Sequence, residues 1–181
     1  MKTRSFLISV LSLLLVSCGE GEKLTSSIFS IDFGSVTQAD ISDGTFSASE
    51  PINETSFKAA VDNATDDFGE VPSGVRVKAA AIRLNASSSS ISGYEQVFSE
   101  PMILFVTPEG GTAIDVGELE NPEGQASEDF DINANRDAFE PALTTYLNGE
   151  FEVGFRGVAG GANAGDFNAS FSVQVQFEFF K

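Results

Sequence analysis

Three groups of side chains in this sequence have the means to do chemistry. The first is a single thiol, Cys18, the sole cysteine among 181 residues. A lone thiol forms no internal disulfide, so its use is as a nucleophile or an attachment point. The second is the run "DFDINANRDAFE", residues 129–140, in which oxygen ligands alternate. Asp129, Asp131, Asn133, Asn135, Asp137 and Glu140 stand at positions 1, 3, 5, 7, 9 and 12 of a twelve-residue calcium loop. The sixth position, where the sharp turn of an EF-hand wants glycine, is Ala134, and the eighth, usually aliphatic, is Arg136. The same letters also read as a strand, with Phe130 and Ile132 on its buried face, then an Asn/Asp turn, then a short helix opened by Pro141 and closed by Gly149. The third group is "DNATDD", residues 62–67, where Asp62 and Asp66 lie one helical turn apart. They could share a cation there, or simply face solvent.

Absences narrow the chemistry further. The sequence has no histidine, which removes Ser-His-Asp and Cys-His catalysis and the usual zinc ligand sets. Paired carboxylates can hydrolyse glycosides, but none here falls in such a motif, and there is no tryptophan to serve as a sugar platform. "GGANAG", residues 160–165, has the composition of a phosphate-cradling loop, but no helix pattern follows it. Calcium is the one cofactor the residues suggest, and a carboxylate-dependent hydrolase is the one enzymatic alternative.

What surrounds Cys18 is more specific. Lys2 and Arg4 form a cationic head, and Phe6–Val16 is apolar apart from Ser9 and Ser12. That run is shorter than the roughly 20 residues a membrane-spanning helix needs, and it has the plan of a secretory signal. Its end, Leu15-Val16-Ser17-Cys18, resembles the lipobox of bacterial lipoproteins. The resemblance implies that residues 1–17 are removed as a signal peptide and that Cys18 carries a diacylglycerol thioether and an acylated amino group, palmitate-type chains included. Each buried methylene contributes about 0.8 kcal/mol, and one chain holds only marginally, so three chains anchor firmly. Gly19 stands where aspartate would imply retention at the inner membrane, so the resemblance points to the outer membrane. Glu20 and Glu22 resemble acidic tags for surface export, leaving periplasmic and surface-facing placements open.

Loss of residues 1–17 takes away Lys2 and Arg4 and no acid, moving the formal charge from −17 to −19. So negative a chain repels phosphate, which argues against a nucleic-acid partner. On total charge it also repels anionic headgroups, so the expectation is a domain that touches the membrane through its lipid alone. The partner is then an envelope protein or an extracellular ligand.

The elements that must position these groups follow from periodicity. Residues 18–27 are small and polar and read as a tether, leaving 28–181 as one domain. Phe29, Ile31 and Phe33 alternate with Ser30 and Asp32, and twelve residues from Asn168 to Phe179 alternate without a break. Further strands are expected at 45–49, 74–85, 101–107, 112–116, around Phe130 and Ile132, and at 150–158. Residues 55–68 change period, with Phe57, Ala60, Val61, Ala64 and Phe68 on one helical face, Thr55 or Ser56 as cap, and Gly69 as stop. The run 101–107 is apolar on both faces, as in a central strand, while 159–166 reads as a loose hairpin connection. The sum is a mainly β protein, an antiparallel β-sandwich of about seven to eight strands with one or two short helices. Sixteen phenylalanines remain after the signal, and they must supply the core that disulfides cannot. The function expected is a non-enzymatic binding or scaffolding module held at the envelope by lipid. The alternative is a calcium-assisted adhesion or ligand-capture module.

Overall fold

The computed structural model describes residues 21–85, 89–91, 93–99, 101–120, 127–160 and 167–181. Leu15, Val16, Ser17 and Cys18 lie outside the described residues, as does most of the connection expected at 159–166.

Alternating apolar residues build strands that close on each other in two antiparallel layers. In chain order the elements are β1 (Lys23–Thr37), β2 (Ile41–Ser42), β3 (Thr45–Pro51), α1 (Glu54–Phe68), β4 (Gly74–Leu84), β5 (Met102–Pro108), β6 (Ile114–Leu119), β7 (Ser127–Asp129), β8 (Asp131–Ile132), α2 (Leu143–Leu147), β9 (Phe151–Val158) and β10 (Asn168–Phe180). Seven of these strands are six residues or longer. One sheet runs β1-β10-β4-β7, and the other runs β2-β3-β9-β5-β6-β8. The protein is a β-sandwich.

Four details depart from the sequence expectation. First, residues 23–27 are not tether. β10 has backbone groups to satisfy on its outer side, and β1 meets them from Lys23 opposite Phe180 onward. A bulge between Thr25 and Ile28 interrupts the ladder, and there the Ser26 hydroxyl accepts from the Phe177 N–H at 2.9 Å. Second, β9 and β10 form no hairpin. β9 pairs with β3 and β5, whereas β10 pairs with β1 and β4 in the other sheet. Third, α1 is capped by Asn53, whose side chain accepts from the Ser56 N–H at 2.9 Å, and not by Thr55 or Ser56. Its far end closes as expected on Gly69, at φ 72°, a left-handed conformation that suits a residue without Cβ. Fourth, the helix after the acidic loop does not open at Pro141. Asn135 caps a 3₁₀ turn over Arg136–Ala142 that contains Pro141 and runs into α2.

The core is aromatic. Phe57 of α1 is fully buried, and its ring meets Phe29, Phe151, Phe177 and Phe179 at centroid distances of 5.5, 5.0, 5.0 and 5.9 Å. Those four partners come from both sheets, so one helix residue closes the end of the sandwich. Farther along, Phe155 touches Phe33, Phe46, Phe98 and Phe171. β5 is central and apolar on both faces, as its sequence implies. Its outward Phe105 pairs with Gly154, whose missing Cβ leaves room for the ring, and the Arg156 guanidinium covers the ring from 5.3 Å.

The two tyrosines differ in how their hydroxyls are treated. Tyr94 donates to the Ile82 carbonyl at 3.1 Å, while the Tyr146 hydroxyl is buried without a partner. Burial pushes the Tyr146 phenol up to about 12. Its contribution to stability is complete below pH ~10, where folded and unfolded chains both keep the proton. It declines as pH rises from ~10 towards 12, because the unfolded chain releases the proton first.

Two outcomes follow. Phe57→Ala should cost about 3–5 kcal/mol in urea unfolding, whereas truncation of the exposed Ile28 should stay within ~0.5 kcal/mol. Tyr146→Phe should raise stability by about 1 kcal/mol, since it deletes an unsatisfied buried hydroxyl, and should lessen the decline in melting temperature above pH ~10.

Candidate functional site

The acidic loop folds as a crossing between sheets. Asp129 ends β7 opposite Ala81, and Asp131 begins the pairing of β8 opposite Glu118. Between them Phe130 turns into the core, its N–H bonded to the Ala80 carbonyl at 2.9 Å. Two carboxylates adjacent in the calcium-loop pattern therefore serve different sheets. The Asn133 N–H goes to the Val116 carbonyl, and Asn135 spends its side-chain oxygen on the N–H groups of Asp137 and Ala138. Asp137 and Glu140 are exposed on the 3₁₀ turn. Asp62 and Asp66 are likewise exposed on α1. Among the described residues no three acidic, histidine or cysteine side chains come together as a metal site.

Among the hollows of the described surface, two differ in chemistry. One is a cleft of about 450 Å³ at the end where β3 and β5 finish and β9 begins, rimmed by Glu54, Glu109, Glu150 and Glu152. Three of these carboxylates are engaged: Glu54 with Lys58 at 2.6 Å, Glu152 with the Ser49 hydroxyl at 2.6 Å, and Glu150 with the Asn148 side-chain amide at 3.5 Å. The other is a trough of about 530 Å³ over the outer face of the four-stranded sheet. Its floor is low because Ala79 and Ala81 lie between longer neighbours, and Lys78, Arg83, Gln174, Gln176 and Asp129 stand around it. A bulge opposite Gln176–Phe177 makes this arrangement: it turns both Lys78 and Ala79 outward, where strict alternation would bury one of them. Ile28, 61% exposed beside the β1 bulge, adds an apolar lip.

Chemically, the trough presents amide donors and acceptors, two cations and one carboxylate around a small apolar floor. That set suits hydrogen bonding to an extended polar ligand or a partner's polypeptide, with no group placed as a nucleophile. Gln174 and Gln176 face outward as the alternation of β10 requires. The sequence alone does not mark Lys78, Ala79, Ala81 and Arg83 as a surface, because "VRVKAAAIRL" does not show where its bulge falls. No protein-family model matches the chain, and no curated protein is similar to it.

Asn135→Ala should cost about 1 kcal/mol by loss of the cap, measured by thermal melting. Calcium should leave the melting temperature of both proteins unchanged, since the loop's stability comes from backbone capping.

Proposed function

We propose that the chain is a lipid-anchored, non-enzymatic binding or scaffolding module of the bacterial cell envelope, held at the outer membrane through Cys18. The observation that carries this is the complete lipobox pattern, Leu15-Val16-Ser17-Cys18, behind a cationic head and a short apolar run. The architecture supports it in two ways. Lys23, which opens β1, follows the cysteine by five residues, so an anchor there is joined directly to the sandwich. The outer face of the four-stranded sheet, with its trough, remains a polar contact surface. A disulfide-free core built from phenylalanine is also consistent with a chain whose single thiol is spent on lipid.

Cys18→Ala should abolish incorporation of labelled palmitate and leave the signal uncleaved. A Cys18→Ala protein that is still labelled and membrane-bound would overturn the anchor. For the binding role, a photo-crosslinker in place of Ala81 should capture a defined envelope partner in cells, and one in place of Asp66 on α1 should not. Equal capture at the two positions would remove the trough as the contact.

A further inference from the structure

Asn148 is the one asparagine in the sequence that glycine follows. Such a pair carries its own reaction. The glycine nitrogen, unhindered by a side chain, attacks the asparagine Cγ and closes a five-membered succinimide. Base takes the proton from that nitrogen, the new C–N bond forms, and ammonia leaves. Water then opens the ring to aspartate or, at the other carbonyl, to isoaspartate, whose main chain is one methylene longer. One water is consumed and one ammonia released.

The end of α2 controls when this can happen. The helix closes in a Schellman motif, in which the Gly149 N–H donates to the Tyr146 carbonyl at 2.8 Å and the Glu150 N–H to the Thr145 carbonyl at 3.1 Å. Gly149 sits at φ 72°, and a Cβ there would meet Glu54 Cα at 3.2 Å. Backbone conformation and the close approach of α1 both demand glycine at this position. The attacking nitrogen is therefore held in a hydrogen bond, with Asn148 at ψ −9°. Ring closure needs rotation about the Asn148 Cα–C bond, which turns the Gly149 N–H away from the Tyr146 carbonyl. The reaction waits on opening of the last turn. A five-residue helix has little stability of its own, and such ends open before the core does.

The location gives the product a consequence. The Asn148 amide donates to the Glu150 carboxylate at 3.5 Å, and Gly149 and Glu150 line the acid-rimmed cleft with Glu54, Glu109 and Glu152. Aspartate at 148 replaces that donor by a like charge. Isoaspartate does more, since its added methylene shifts Gly149 and Glu150 away from their two carbonyl acceptors. We propose that Asn148 is a modification site: it deamidates when the last turn of α2 opens, and the product sets a further carboxylate beside the cleft and weakens the cap that holds α2 against α1.

The test follows the full chain, folded and in unfolding urea, in warm, mildly alkaline buffer. Peptide mass mapping reads the amide-to-acid mass gain at each asparagine, and electron-transfer fragmentation separates isoaspartate from aspartate. In urea, Asn148 should convert ahead of the other asparagines. In the folded chain it should convert at least about tenfold more slowly, because only the opened turn reacts. Asn148→Gln, whose longer side chain closes its ring far more slowly, should lose the mass gain at 148. Asn148→Asp, which carries the product's charge, should melt about 2–4 °C lower than the parent. Equal rates in the folded and unfolded chain overturn the gate, and another asparagine converting first in urea overturns the site. An Asn148→Asp protein that melts with the parent overturns the effect on the cap.

Discussion

Phe57 makes the contact on which the two layers depend. A sandwich of antiparallel sheets is open at its ends, and without disulfides only the chain's own crossings tie one layer covalently to the other. Here the chain passes from β3 in one sheet to β4 in the other through α1, and the helix turns one fully buried ring towards Phe29, Phe177 and Phe179 on one side and Phe151 on the other. Most of these contacts are edge-to-face or tilted, the geometry in which ring quadrupoles attract. The helix is therefore a wedge whose position is over-determined by rings, and the caps at Asn53 and Gly69 fix where it starts and stops.

Much of this was legible in the sequence because period and burial have a simple relation in long strands. β10 and β4 read cleanly, and α1 was evident from its change of period. The errors cluster where pairing partners, not local residues, decide. "KLTSS" has no apolar alternation, yet it is a strand because β10 needs a neighbour. The residues around Phe130 read as one strand, but the structure divides them between sheets, since a buried ring at the crossing fits a turn between layers as well as the face of one strand. The carboxylates of residues 129–140 share a pattern in sequence and no common centre in space.

The surface was less legible than the core. Alternation predicts which residues face outward but not which outward residues become neighbours. Register does that, and register here is shifted by bulges at Thr25–Ile28, at Asp32–Ser35 and opposite Gln176–Phe177. The last of these turns Lys78 outward beside Ala79, giving the trough its floor. The two bulges in β1, the long edge strand, also twist it and so blunt its unpaired side against pairing with other chains.

The partnership of β1 with β10 has a further consequence, in the order of events. The first strand of the fold is hydrogen-bonded along nearly its whole length to the last, and β10 is also the partner that β4 requires. The four-stranded sheet therefore has no stable half before residues 168–180 arrive. For a polypeptide threaded through a membrane amino end first, the sandwich closes only when the final strand has crossed. Such long-range pairing is slow to form. The topology that makes the domain one cooperative unit also defers closure of this sheet until its last strand is present.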